Sequence, residues 1–242
     1  MKIAIDIGNT SISVGVFEKD QLLERSNFSN IDGFSKFLAS GNNYDIKYAI
    51  ICSVVPNLTK QYKDLLEKKY KYKTIIIDYK TSKVALNVDQ PETVGIDRIC
   101  NIYAIQKDYQ VPAIVIDFGT ATTYDVINRS GSFIGGAIAT GVETSAKNLI
   151  ENAALLSQTK LEFPKKVIGK NTTTNIQSGI MFGAVDQVEG MIKRIYEETR
   201  INYNIILTGG FSTLISSQLS YKHIVDSDLT LKGIVYIYES IE

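Results

Sequence analysis

The chain has 242 residues, 44% of them apolar, enough for a full core in one large domain or two small ones. Lys+Arg and Asp+Glu both number 26, so the net charge is zero, and with no long basic stripe this disfavours nucleic acid or an anionic membrane as main partner. Two cysteines, Cys52 and Cys100, lack metal-like spacing and read as core thiols of a reducing cytosol, and a single histidine, His223, excludes a multi-histidine metal site.

The first elements read β-β-β-α-β-α-β. Residues 2–6 and 12–17 alternate or run apolar, as strands do, and a charged turn at 18–21 leads to a third strand near 22–26. In "DGFSKFLAS" (32–40), Phe34, Phe37 and Leu38 share a helical face. "YAIICSVV" (48–55) reads as a buried strand, and Leu58, Tyr62, Leu65 and Leu66 stripe the next helix. The run "KDLLEKKYKYK" (63–73) is a solvated helix face. "TIIID" (74–78) is another buried strand, and residues 95–109 form a helix with Ile99, Cys100, Tyr103 and Ala104 inward. No apolar stretch approaches the roughly 18–20 residues of a membrane-crossing helix, and strand begins at once with no signal-peptide layout.

The second half repeats the opening. "IAIDIGNTSISVGV" (3–16) aligns with "IVIDFGTATTYDVI" (114–127), matching Ile5 to Ile116, Asp6 to Asp117 and Gly8 to Gly119 at an offset of 111 residues. A third strand follows at 131–138, then helices at about 143–157 (Ala146, Leu149, Ile150, Ala153) and 175–198. The strand "NIILTGG" (204–210) and a closing helix with Leu231, Ile234, Val235, Tyr238 and Ile241 on one face complete the chain. His223 beside Ile224 and Val225 reads as structural. The pattern is two copies of one α/β unit joined near residues 109–112.

An Asp-x-Gly-x-Thr turn serves an ordinary hairpin or a phosphate loop. Glycine at position 8 permits close approach and positive φ. The N–H groups of Asn9, Thr10 and Ser11 can form an anion nest. Asp6 cannot hold phosphate directly, because like charges repel; it suits a hydrated Mg²⁺ riding on the phosphates. The same reasoning covers Asp117, Gly119 and Thr120, with Thr122 and Thr123 behind them, and two such turns can grip a polyphosphate from both sides. "LTGGF" (207–211) lets a planar ring lie against bare backbone, or is a tightly packed helix start.

Taken in order, these three elements resemble the actin–sugar kinase–Hsp70 superfamily. With "VGIDRICN" (94–101), "CSVVP" (52–56), "NT" (171–172) and "QSG" (177–179), nearly the whole chain resembles type III pantothenate kinases. The resemblance implies an α/β fold of two duplicated ribonuclease H-like (actin-like ATPase) domains, with mixed β-sheets flanked by helices. Residues 1–111 would carry the first phosphate loop and the Gly-x-Asp-Arg helix, and residues 112–242 the second phosphate loop and the adenosine loop. It implies ATP-dependent phosphorylation of pantothenate to 4′-phosphopantothenate, the first step of coenzyme A synthesis, in a cytoplasmic homodimer. Asp6, Ile7, Gly8, Asn9, Thr10, Ser11, Ile12, Ser13 and Thr120 would bind ATP. Gly95, Ile96, Asp97 and Arg98 would bind pantothenate, with Asp97 as proton acceptor, and Thr172 would reach the substrate from the partner subunit. Asp117 would ligate a monovalent cation, K⁺ or NH₄⁺, and Mg²⁺ would accompany ATP.

By residue chemistry alone, Asp97 serves equally as a helix cap, and "GKNTTTN" (169–175) as a polar capping loop. Arg98 is a fork-shaped donor suited to a carboxylate, or a surface ion pair. Two positions depart from the family: Val88 stands where a tyrosine is usual, and Thr140 precedes Gly141 where a proline is usual. The competing readings are a non-catalytic accessory protein of the same family and a sugar kinase or phosphatase on the same fold.

Overall fold

The structure, a computed structural model, describes residues 1–40, 44–152 and 159–241. The chain divides into two compact units, one comprising Met1–Tyr109 with Asp228–Glu242 and the other Gln110–Ser227.

In the first unit, β1 (Lys2–Ile7), β2 (Ile12–Glu18) and β3 (Gln21–Phe28) form an antiparallel meander. Strands β4 (Tyr48–Ser53) and β5 (Lys73–Ile76) run parallel to β1, giving the order β3-β2-β1-β4-β5. Buried on both faces, β1 and β4 are nearly continuous in apolar residues. Strand β3, at the edge, alternates exposed and half-buried positions and carries Glu24 and Arg25. Helix α1 (Ile31–Ala39) starts where the Asn30 side chain accepts the Gly33 N–H at 3.0 Å. Helix α2 (Pro56–Asp64) starts at Pro56, whose missing N–H is harmless there. One face of the sheet packs Ile3, Ile5, Val14 and Ile51 against Phe34 of α1 and Tyr62 of α2. A 3₁₀ turn, Pro91–Thr93, leads into α3 (Ile96–Asp108).

The second unit repeats this plan. Strands β6 (Ala113–Phe118), β7 (Ala121–Ile127) and β8 (Phe133–Thr140) form the meander. Strands β9 (Asn204–Gly209) and β10 (Ile224–Val225) add in parallel, giving β10-β9-β6-β7-β8. Registers match as well: Asp6 lies opposite Ser13 and Cys52, and Asp117 opposite Thr123 and Thr208. Helices α4 (Val142–Glu151), α5 (Thr172–Thr199) and the short α6 (Ser212–Ser216) complete the unit. The core packs Ile116, Tyr124 and Leu207 against Met181, Val185 and Val188 of α5. The part of the expected 143–157 helix from Ala153 onward lies outside the described residues. No helix among the described residues is long and apolar enough to cross a membrane.

The closing helix α7 (Leu229–Ile241) differs from expectation. The sequence order places it with residues 112–242, yet it packs into the first unit. Leu229, Ile234, Val235 and Ile237 are fully buried. Gly233 sits so close to α3 that a Cβ there would fall on the Cys100 carbonyl. Polar bonds complete the seam: Thr230 donates to Asn101 Oδ1 at 2.7 Å, Tyr236 donates to the Asp108 carboxylate at 3.0 Å, and Arg25 pairs with Asp228 at 2.9 Å. An apolar stripe says that a helix must be covered and leaves its partner open; the missing side chain at Gly233 and the Asn101–Thr230 bond select α3.

Candidate functional site

In the first unit, half-buried Asp6 is the penultimate residue of β1, and the chain reverses through residues 8–11. The Gly8 N–H donates to the Ser11 carbonyl at 3.0 Å, leaving Asn9, Thr10 and Ser11 exposed at the tip. Gly8 does not take the positive φ anticipated for it; among the described residues the positive-φ glycines are Gly131, Gly135 and Gly209. What glycine provides at position 8 is clearance, since a Cβ would stand 3.2 Å from the Ser11 carbonyl.

Asp97 lies in the first turn of α3, half-buried, and its Oδ1 accepts the Arg98 backbone N–H at 2.8 Å. Gly95 leaves that carboxylate room, for a Cβ there would stand 2.5 Å from Oδ1. Cys100 follows one helical turn after Asp97, and Cys52 is the cross-strand neighbour of Asp6. Both thiols are free and fully buried. The Cys52 thiol is pushed well above its ordinary range by its hydrogen bond to Cys100, then by burial, then by the nearby charges of Cys100, Asp6 and Asp97. The fold therefore brings Asp6 and Asp97, 91 positions apart in sequence, within electrostatic reach of one thiol.

A cavity of about 620 Å³ opens beyond the ends of β4 and β5, against Gly95 and Ile96. Its walls include Val54 and Val94, which lie within the "CSVVP" and "VGIDRICN" stretches, and Ile76 and Tyr79, which no motif covers. Ile76 is 41% exposed there, so β5 is not the buried strand that its apolar run suggests.

In the second unit, the Gly119 N–H donates to the Ala121 carbonyl at 3.0 Å, and Gly119 and Thr120 are exposed. The Thr120 carbonyl accepts the Gly141 N–H at 3.1 Å and the Thr144 hydroxyl at 2.8 Å, which fixes the loop. Half-buried Asp117 lies between two glycines. A Cβ at Gly119 would stand 3.8 Å from its Oδ1, and a Cβ at Gly209 would fall on that oxygen. Gly209 has φ +86°, and its carbonyl accepts the Ser212 hydroxyl at 2.7 Å, starting α6. Gly210 faces open space, so its backbone stays bare.

Thr172 is the first residue of α5 and is exposed. Capping falls to its neighbours: Asn171 Oδ1 accepts the Thr174 N–H at 2.9 Å, and the Thr174 hydroxyl accepts the Asn171 N–H at 3.2 Å. Gln177 and Ser178 are buried and hold the preceding loop, donating to the carbonyls of Lys160 and Val167.

Among the described residues no group of three or more His, Cys, Asp or Glu side chains could hold a metal ion. Mg²⁺ carried on phosphate oxygens needs only one or two carboxylates, so Asp6 alone at its strand end fits that ion. At Asp117 the backbone of Gly209 packs directly against the carboxylate, while Gly119 stands further off.

A family model described as type III pantothenate kinase matches residues 2–194. A type III pantothenate kinase of Dehalococcoides mccartyi is 36% identical over 249 residues, covering 98% of this chain and 95% of the relative. One of Agathobacter rectalis is 36% identical over 253 residues, covering 98% and 96%. Among solved structures, a candidate Baf family transcriptional activator from Campylobacter jejuni superposes with a TM-score of 0.66 at 19% identity, over 98% of both chains. The activator of 2-hydroxyisocaproyl-CoA dehydratase from Clostridium difficile, with bound ADPNP, gives 0.55 at 13% identity, over 98% and 93%. Similarity at these identities concerns the fold, which is that of the actin-like ATPases and sugar kinases.

Proposed function

The chain belongs to the type III pantothenate kinase family, and from that premise we propose that it transfers the γ-phosphoryl group of ATP to the primary hydroxyl of pantothenate, yielding 4′-phosphopantothenate for coenzyme A synthesis. The observation that carries the reading is the family match over residues 2–194, within which Asp6 stands near the end of β1 and Asp97 in the first turn of α3. A carboxylate at a phosphate loop and one free to take the hydroxyl proton are what phosphoryl transfer asks of side chains.

In this reading Asp97 is the general base. Arg98 pairs with the substrate carboxylate, and Gly95 and Ile96 shape the adjoining surface. Asp6 through Ser13 hold the ATP phosphates by backbone N–H groups and hydroxyls, Asp6 would hold the Mg²⁺ that accompanies ATP, and Thr120 contacts ATP. Asp117 would hold K⁺ or NH₄⁺, which when bound would supply fixed positive charge. Thr172, free of capping duty, reaches the pantothenate site of a second copy in a homodimer. The enzyme acts in the cytoplasm. No observation favours the accessory-protein reading.

The test is ADP release measured with pantothenate, glucose, glycerol and acetate as acceptors. Turnover is expected with pantothenate and with K⁺ or NH₄⁺, not with Na⁺. Asp97→Asn is expected to lower kcat by about 100-fold or more while leaving the KM for ATP within a few-fold. Unchanged turnover in Asp97→Asn removes the base, and equal rates in Na⁺ and K⁺ remove the cation site.

A further inference from the structure

The second unit carries a cavity of about 400 Å³ that none of the roles above uses. It borders Ile114 and Ile205, the second residues of β6 and β9, and the last turns of α5. The Gly119 turn follows β6 at its opposite end, and Gly209 is the last residue of β9. Within this unit the cavity is therefore separate from Asp117, Thr120 and Gly209.

Its lining is of two kinds. Ile114, Ile192 and Ile205, each 5% exposed or less, form an aliphatic floor, and Tyr196 and Tyr221, 43% and 36% exposed, stand at its mouth. Lys193 and Lys222 are the charged residues of the lining, and no carboxylate joins them. Lys193 does lie 4.0 Å from Glu197, but this pair is exposed and long, so it cancels little of the charge. Solvent-exposed aromatic rings over an aliphatic floor favour a flat apolar body, and two cations with no acid favour one negative group on it. We propose that this cavity binds a planar aromatic carboxylate.

The probe is 2-naphthoate, followed by amide chemical-shift changes in the isotope-labelled protein. For a ligand of this size the Kd is expected on the order of 0.1–1 mM. Shifts should centre on residues 192–196, 201–205 and 221–222 and should be unaffected by saturating ATP. Lys193→Met combined with Lys222→Met, and separately Tyr196→Ala, should each weaken binding at least tenfold. All three side chains are at the surface, so the variants should keep the wild-type spectrum elsewhere. Tyr203→Phe is the control: its ring lines the cavity but its hydroxyl is enclosed away from solvent, so binding should not change. The proposal is overturned if 2-naphthylmethylammonium binds as tightly as the carboxylate. It is also overturned if the double lysine variant binds like wild type, or if no shifts arise here at 10-fold above the expected Kd.

Discussion

Gly209 illustrates how one residue shapes its surroundings. At φ +86° an L side chain is strained by about 1–2 kcal/mol, and here a Cβ would also fall on Asp117 Oδ1 and stand 2.6 Å from the Phe118 nitrogen. Gly209→Ala is therefore expected to lower stability by about 2 kcal/mol or more in urea denaturation and to abolish the preference for K⁺ over Na⁺ in ADP release. A variant with wild-type stability and cation preference would show that Asp117 does not depend on this glycine. The sequence pointed to positions 8 and 119 as the glycines needing backbone freedom, because both sit in Asp-x-Gly-x-Thr turns. Both turns close by local N–H to carbonyl bonds without a left-handed residue, and the left-handed one lies in the "TGG" stretch. A glycine's letter shows permission to adopt such a backbone; whether it is used depends on what packs beside it.

Helix α5 separates two jobs that its sequence merges. The Asn171–Thr174 box satisfies the helix start, so Asn171→Ala is expected to cost about 1 kcal/mol of stability with little change in pantothenate KM. Thr172→Ala should do the opposite, leaving the denaturation midpoint near wild type and raising pantothenate KM. A swap of these outcomes would reassign Thr172 to the cap. Helix α7 bears on α3, the helix that carries Asp97. Gly233→Ala should force the two apart at a cost of about 1–3 kcal/mol and lower kcat more than it raises the KM for ATP. Long strands and helices were legible because periods of 2 and 3.6 need several residues to show. The two-residue β10 is too short to carry either period, and the five-residue α6 shows only as a helix start after "LTGGF". The seam between α3 and α7 was invisible for a different reason: it is made by an absent side chain and a single buried amide, and neither leaves a pattern along the chain.

Across the whole molecule, each unit encloses a tyrosine whose phenol burial pushes up from 10.0 to about 12: Tyr62 in the first, where the charge of Asp32 adds to the effect, and Tyr124 in the second. A pKa raised on folding contributes stability that is complete below the unfolded value and is lost as pH rises through the folded one. The melting temperature is thus expected to fall between pH 10 and about 12, and less steeply in Tyr62→Phe combined with Tyr124→Phe. An equally steep decline in that double variant would place the alkaline transition elsewhere. The two-sheet plan was readable because the 111-residue offset preserves both the Asp-x-Gly turns and the strand registers. The composition of the first unit was not, since it takes residues from both ends of the chain. That has a consequence for synthesis. Residues 1–109 leave the ribosome first, yet α3 then lacks the helix that covers it. With translation at about 5–20 residues per second, the apolar face of α3 stays open for several seconds while the second unit is made. The second unit, continuous in sequence, is free to finish folding before the first. The half that holds Asp97 is expected to mature last, and a nascent chain stalled before residue 228 should bind an apolar-surface dye that the released protein does not.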